Sequence, residues 1–202
     1  MTKNEYISFV REGVAGSPVV IAFHGTGGNE HQFTGLIDQM LPDAGIVAPR
    51  GDVSEFGANR FFRRTGEGVY DMDDLHLRTE KMLGFISEVR EQNTGREIFA
   101  LGYSNGANIL ASMLFRDPSL FDRAALMHPL IPWTPEPQPA LSGKRILITV
   151  GEVDPISPLK LSKSLIAWFK AQGADVDALI APGGHEIRPA ELEALSAFLQ
   201  AA

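Results

Sequence analysis

Ser104 sits in Gly102-Tyr103-Ser104-Asn105-Gly106, after the apolar run Ile98-Phe99-Ala100-Leu101 and before the helix-like stretch Ala107-Asn108-Ile109-Leu110-Ala111-Ser112-Met113-Leu114. A strand, a tight turn and a helix hold such a serine out at the carboxyl end of a sheet, and the glycines let strand and helix approach without a Cβ clash. A hydroxyl in that position is a nucleophile once it has a base, an acid to orient the base, and N–H donors for the oxyanion that forms. All are available, in the chain order serine, carboxylate, histidine. Residues 145–150 read as a buried strand that ends in Gly151-Glu152-Val153-Asp154-Pro155, so Asp154 is the candidate acid. Residues 177–181 read as a short strand from which Pro182-Gly183-Gly184-His185 turns off, so His185 is the candidate base. Upstream, Val19-Val20-Ile21-Ala22-Phe23 runs into His24-Gly25-Thr26-Gly27-Gly28, and the amides of Thr26 and Asn105 are the expected oxyanion donors.

Taken singly, each residue has a plainer reading. Ser104 could cap the helix that follows, Asp154 could be a turn residue before Pro155, and His185 could be a surface loop histidine. The glycine loop could cradle a phosphate, but it lacks both G-x-G-x-x-G and a following G-K-[ST]. Four features in the right order, each at the end of a strand-like run, favour the reactive serine. Asp175 and Asp177 are the fallback acids, although they precede the final strand and so belong to the wrong end of the sheet.

The elements that must position these residues alternate between strand and helix, which predicts an α/β fold: a mostly parallel, twisted sheet with helices on both faces. Core strands are expected near 18–23, 45–48, 97–103, 123–128, 144–150 and 177–181, with 6–10 as an antiparallel edge strand. Residues 73–92 carry Leu75, Met82, Leu83, Ile86 and Val89 at helical spacing. Ser157-Pro158, then Leu161, Leu165, Phe169 and Gly173, read as N-cap, first-turn proline, apolar stripe and terminal glycine. Leu192, Leu195 and Leu199 mark the last helix, and the proline-rich stretch 129–139 is a rigid connection.

Composition sets limits. The 202 residues, with 44% hydrophobic and 21% charged content, suit one domain over 1–202. A net charge of -7 argues against nucleic acid or an anionic membrane as partner and leaves small-molecule substrates open. With no cysteine there is neither a thiolate nucleophile nor a Cys-ligated metal. No apolar leader or spanning run is visible, so the cytoplasm is the expected compartment.

Beyond the serine motif, the chain resembles the small phospholipase/carboxylesterase family of the α/β-hydrolases, in particular its bacterial hydroquinone-resistance-type carboxylesterase branch. The likeness covers nearly the whole length. It rests on His24-Gly25-Thr26-Gly27-Gly28-Asn29-Glu30, Pro49-Arg50-Gly51, Arg60-Phe61-Phe62-Arg63-Arg64 and Gly102-Tyr103-Ser104-Asn105-Gly106-Ala107-Asn108. Where the wider family usually has Gln after the nucleophile, this chain has Asn105, which keeps the amide donor and alters the pocket wall. The resemblance implies a minimal hydrolase domain without a large cap. It also implies cofactor-free hydrolysis of a small ester or thioester, with Ser104, Asp154 and His185 in the triad positions. It leaves a homodimer open. A ligand-binding module on the same scaffold is the alternative from another class.

Residues 50–71 form a long connection without clear periodicity, a kind of segment that is often functional. Phe56, Phe61 and Phe62 are expected to floor an acyl or aromatic pocket, and Arg60, Arg63 and Arg64 to meet a polar or anionic substrate group. For at least two of the arginines, pairing with Glu67, Asp71, Asp73 or Asp74 is the plainer expectation. Asp71-Met72-Asp73-Asp74 lacks the glycine and distant glutamate of a calcium loop and suits helix capping. His24 is expected to hold the glycine loop by a hydrogen bond. His31, His76 and His128 have no metal-ligand spacing, and no metal is expected.

Overall fold

In the computed structural model, which describes residues 5–201, every apolar run anticipated as a core strand is a strand. The chain begins with β1 (Ser8–Arg11), β2 (Val19–Phe23), α1 (Thr34–Met40) and β3 (Gly45–Pro49). Four short strands follow: β4 (Val53–Glu55), β5 (Ala58–Arg60), β6 (Arg64–Gly66) and β7 (Val69–Tyr70). Then come α2 (Met72–Gln92), β8 (Ile98–Tyr103), α3 (Asn105–Arg116), β9 (Arg123–Met127), β10 (Arg145–Gly151), α4 (Leu159–Ala171), β11 (Asp175–Ala181) and α5 (Pro189–Gln200).

Seven strands make one sheet in the order β1-β3-β2-β8-β9-β10-β11. Only β1 is antiparallel, and it pairs Ser8 with Pro49 through Arg11 with Ile46. Strands buried on both faces need apolar residues throughout, which is why β2 reads as an unbroken hydrophobic run and β3 and β9 carry Ile46-Val47-Ala48 and Ala124-Ala125-Leu126-Met127. Val19, Ile21 and Phe23 face a core shared with α2, α3 and α4, while Val20 and Ala22 face a second core beside α1 and α5. The parallel pairings bring the carboxyl ends of β2, β8, β9, β10 and β11 to one edge of the sheet. Ser104, Asp154, His185 and the glycine loop all follow those ends.

Helix boundaries follow local chemistry. Asp71 caps α2 by accepting the Asp74 N–H at 3.1 Å, and Leu75, Met82, Ile86 and Val89 are buried along its inner face. Ser157 was expected to cap α4, but Pro158 occupies that position and the Ser157 hydroxyl instead donates to the His128 carbonyl at 3.1 Å. The 50–71 connection is two small antiparallel hairpins, β4-β5 and β6-β7, in place of an irregular loop. Among the described residues, no helix is long and apolar enough to cross a membrane.

Candidate active site

Ser104 is the residue between β8 and α3, with φ 52° and ψ -116°. A serine adopts that left-handed backbone only when its surroundings dictate it. Here they do: its N–H donates to the Met127 carbonyl at 2.9 Å. A Cβ at Gly102 would strike the Gly106 carbonyl, and one at Gly106 would strike the Phe23 carbonyl. The two glycines of the motif are therefore required by the close crossing of β8, α3 and β2.

Asp154 and His185 leave the ends of adjacent parallel strands, β10 and β11, which pair as far as Gly151 and Ala181. The loops beyond are pressed together so tightly that a Cβ at Gly151 would hit the Gly184 carbonyl. His185 Nε2 lies 2.8 Å from Ser104 Oγ, and His185 Nδ1 lies 2.7 Å from Asp154 Oδ2. The neutral tautomer that fits has the proton on Nδ1, donated to Asp154, and the Nε2 lone pair facing the serine hydroxyl. The Tyr103 hydroxyl donates to the His185 carbonyl at 2.7 Å and fixes the loop. Asp154 Oδ1 accepts the Ile156 and Ser157 amides at 2.8 and 2.9 Å. Burial pushes the Asp154 carboxyl up, but the bonds from the Ser157 amide, His128, His185 and the Ile156 amide outweigh it and hold the group below the usual carboxylate range. The fallback acids Asp175 and Asp177 lie at the start of β11, at the opposite end of the sheet from Ser104.

The glycine loop is anchored on three sides. Gly25 N–H donates to Gln32 Oε1, Gly27 N–H to the Asn59 carbonyl and Gly28 N–H to the Gly25 carbonyl. His24 accepts the Gly51 N–H on Nε2 at 2.9 Å, which leaves the ring proton on Nδ1 to donate to the Gly25 carbonyl at 2.7 Å. The imidazole thus ties the loop after β2 to the loop after β3. Burial pulls its proton affinity below the usual histidine value. Asn105 opens α3, where an amide has no acceptor within its own helix. Its side chain is buried, with Oδ1 accepting the Phe61 N–H at 2.8 Å.

A cleft of about 400 Å³ opens over these groups, lined among others by Thr26, Arg60, Tyr70, Ser104, Asn105, Asn108, Leu130, Ile156 and His185. Phe61 and Phe62, expected on its floor, are packed in the core instead. Phe61 meets Phe23 edge-on and lies against His24, and Phe62 meets Tyr70. Phe56 is fully exposed at the β4-β5 turn. Of the pocket residues named from sequence, Arg60 and Arg64 do reach the cleft, and Arg60 Nη1 donates to Thr26 Oγ1 at 2.8 Å. Burial lowers the pKa of Arg60, with Glu55 3.6 Å away opposing the shift. Arg63 pairs with Asp71 and Asp74, each at 3.4 Å, and Arg64 with Glu55 at 2.9 Å.

Four polar residues in and behind the cleft were not assigned from sequence. Tyr70 donates to the Leu130 carbonyl, and Asn108 donates to Tyr70 and accepts the Leu130 N–H, which closes a small ring of bonds under the cleft. Behind Asp154 lie His128 and, in the first turn of α5, Glu191, both fully buried. Glu191 could have been noticed, because Arg188-Pro189 followed by a glutamate is a helix-start signature. Donor atoms of His128, Asp154 and His185 lie within 4.8 Å of one another, a spacing that a metal could use. Both ring Nδ1 atoms nevertheless aim at the same carboxylate oxygen. That is a hydrogen-bonding arrangement more than a ligand sphere.

The sequence pattern of the dienelactone hydrolase family matches residues 9–185. MhqD of Bacillus subtilis (strain 168) is 39% identical over 178 residues, 87% of this chain and 88% of that protein. The crystal structure of the protein Atu2452 from Agrobacterium tumefaciens str. C58 is 52% identical with a TM-score of 0.92, covering 100% of this chain and 98% of that one. That of the Bacillus cereus carboxylesterase is 33% identical with a TM-score of 0.91, covering 98% of each chain.

Proposed function

The chain belongs to the dienelactone hydrolase family, and we propose that it hydrolyses carboxylic esters of small or short-chain acids through an acyl-enzyme on Ser104. The observation that carries this reading is the unbroken chain from Ser104 Oγ to His185 at 2.8 Å and from His185 to Asp154 at 2.7 Å, at the foot of an open cleft. His185 Nε2 takes the hydroxyl proton as Ser104 Oγ attacks the ester carbonyl, and Asp154 holds the imidazole in the tautomer that can accept it. The amides of Thr26 and Asn105 receive the oxyanion of the tetrahedral intermediate. Its collapse expels the alcohol, which takes the proton from His185. Water then enters, loses a proton to the same nitrogen and releases the acid from Ser104.

The modest cleft and its polar lining of Arg60, Tyr70 and Asn108 suit a short acyl group better than a lipid chain. Likeness to a protein named carboxylesterase supports oxygen esters as the substrate class. The test is labelling of the purified chain with a fluorophosphonate, followed by short-chain oxygen esters against thioesters of the same acyl length. Labelling at Ser104 with oxygen esters turned over fastest is expected. Faster thioester turnover would make the chain a thioesterase on the same groups, and absence of both labelling and turnover would reject the serine chemistry.

A further inference from the structure

Asp154 carries two histidines on one oxygen. His185 Nδ1 donates to Oδ2 at 2.7 Å from one side, and His128 Nδ1 donates to it at 3.0 Å from the other. The far edge of the His128 ring, Nε2, faces Glu191 Oε1 at 2.9 Å, an ion pair more than an aligned hydrogen bond. The side chains of His128, Asp154 and Glu191 have no exposed surface. A neutral ring would turn a nitrogen lone pair toward one of the two carboxylates where no bulk water can relieve the repulsion. An imidazolium matches both. Burial opposes a charged ring at His128, but Glu191 and Asp154 together overcome it and raise its pKa. The residue is also held at φ 51°, a backbone that a histidine adopts at a cost.

We propose that His128 and Glu191 are a positioning pair for the reaction, gripping Asp154 from behind and holding a buried positive charge against the His185 ring. This rests on the serine chemistry proposed above. When His185 takes that proton it becomes a second cation, with its ring centroid 5.2 Å from that of His128. Two like charges at such a distance repel appreciably even at a protein-like dielectric. Glu191, on the far side of His128, offsets only part of the repulsion. The shared Asp154 oxygen acts in the same direction, since it divides its lone pairs between two donors. Neutralising the His128–Glu191 pair removes that repulsion.

Other groups face the cluster. From β8, the Tyr103 ring lies against both imidazoles. From the loop after β10, Ser157 bonds the His128 carbonyl, and on the His185 loop Glu186 and Arg188 pair with each other at the surface. Thr149 of β10 borders Glu191. All of these are retained when only the His128–Glu191 pair is neutralised.

The experiment is the double variant His128→Gln/Glu191→Gln. A Gln at 191 keeps an acceptor for the Arg188 N–H, now 2.7 Å from Glu191 Oε2, so the start of α5 stays capped. A Gln at 128 offers Asp154 a neutral donor. The expected result is an acid limb of kcat/KM moved to higher pH by on the order of one unit. An unmoved limb with activity lower at every pH, or a limb moved to lower pH, would overturn the proposal and reduce the pair to packing. A second measurement serves if the double variant does not fold. In the unaltered chain carrying nitrogen-15-labelled histidine, His128 should show two protected, low-field ring N–H protons at neutral pH, and a single one would overturn the proposal. Fluorophosphonate labelling of the unaltered chain tests the serine chemistry separately, so failure of one can be told from failure of the other.

Discussion

Behind Ser104 the polar groups are sealed and bonded to one another, whereas in front of it the 50–71 segment stands on surface pairs. His128, Asp154 and Glu191 side chains have no exposed area, while Arg64 and Glu55, which tie the two hairpins together, are 36% and 22% exposed. Buried bonds of this kind are costly to leave unmade and hold one geometry, while exposed ion pairs contribute little and can be exchanged. On the proposed serine chemistry, the rear half would fix the reaction and the front half could be altered to suit a substrate. Arg60 is the exception in front, since its side chain is 5% exposed and it bonds the Thr26 hydroxyl in the glycine loop.

The largest effect should come from breaking the rear half at its end. Ser104→Ala should abolish fluorophosphonate labelling and lower kcat by about 10⁶, and Asp154→Asn should lower it by about 10⁴ by favouring the wrong imidazole tautomer. Ser104→Ala should leave the melting temperature nearly unchanged, whereas Asp154→Asn should lower it, because His128 then loses one of its two buried carboxylate partners; activity and thermal unfolding measured together check both. Phe62→Ala comes next, because deleting a fully buried aromatic ring costs about 3–5 kcal/mol. A drop in melting temperature is expected with all esters losing activity alike. A changed ranking of aryl against alkyl esters without that drop would return Phe62 to the pocket.

Glu30 sharpens the comparison through pH. Two bonds from Arg50, at 2.6 Å each, bring its pKa down from 4.5 to about 2. A depressed carboxyl stabilises the fold above its unfolded-state value and loses that contribution as pH falls toward the folded-state one. Wild type should therefore melt above Glu30→Gln at neutral pH, and the difference should shrink as pH falls from about 4.5 to about 2. A gap that stays constant over that window would contradict the pairing. The smallest effect belongs to Arg64→Ala, which should cost at most about 1 kcal/mol and less at high salt. Chemical denaturation at two salt concentrations measures it.

Sequence made the inner strands of the main sheet legible because strands buried on both faces need apolar runs, and the residues that end them fall at predictable places. That Ser104, Asp154 and His185 meet at one edge of the sheet was legible in this way. The hairpins were not legible, because strands of two or three residues are too short for alternation to show. Phe61 and Phe62 were misplaced since an aromatic near a reactive residue reads the same whether it lines a cleft or fills a core. What turns Phe61 inward is the bond from its N–H to Asn105 Oδ1, a contact across 44 residues that no local pattern displays. The pairing of His128 with Glu191 was not legible for a like reason, since only the fold brings the two side chains together.

Among the described residues, three that are not glycine have positive φ: Phe56, Ser104 and His128. Such a backbone costs of order 1–3 kcal/mol at each residue that adopts it. At 104 the strain would be relieved by glycine and kept by alanine, so of two inactive chains the one with glycine should unfold at the higher temperature. Laboratory selection for heat tolerance alone would reward that loss of the hydroxyl, and a durable descendant of this chain would be obtained intact only if turnover were screened in every round.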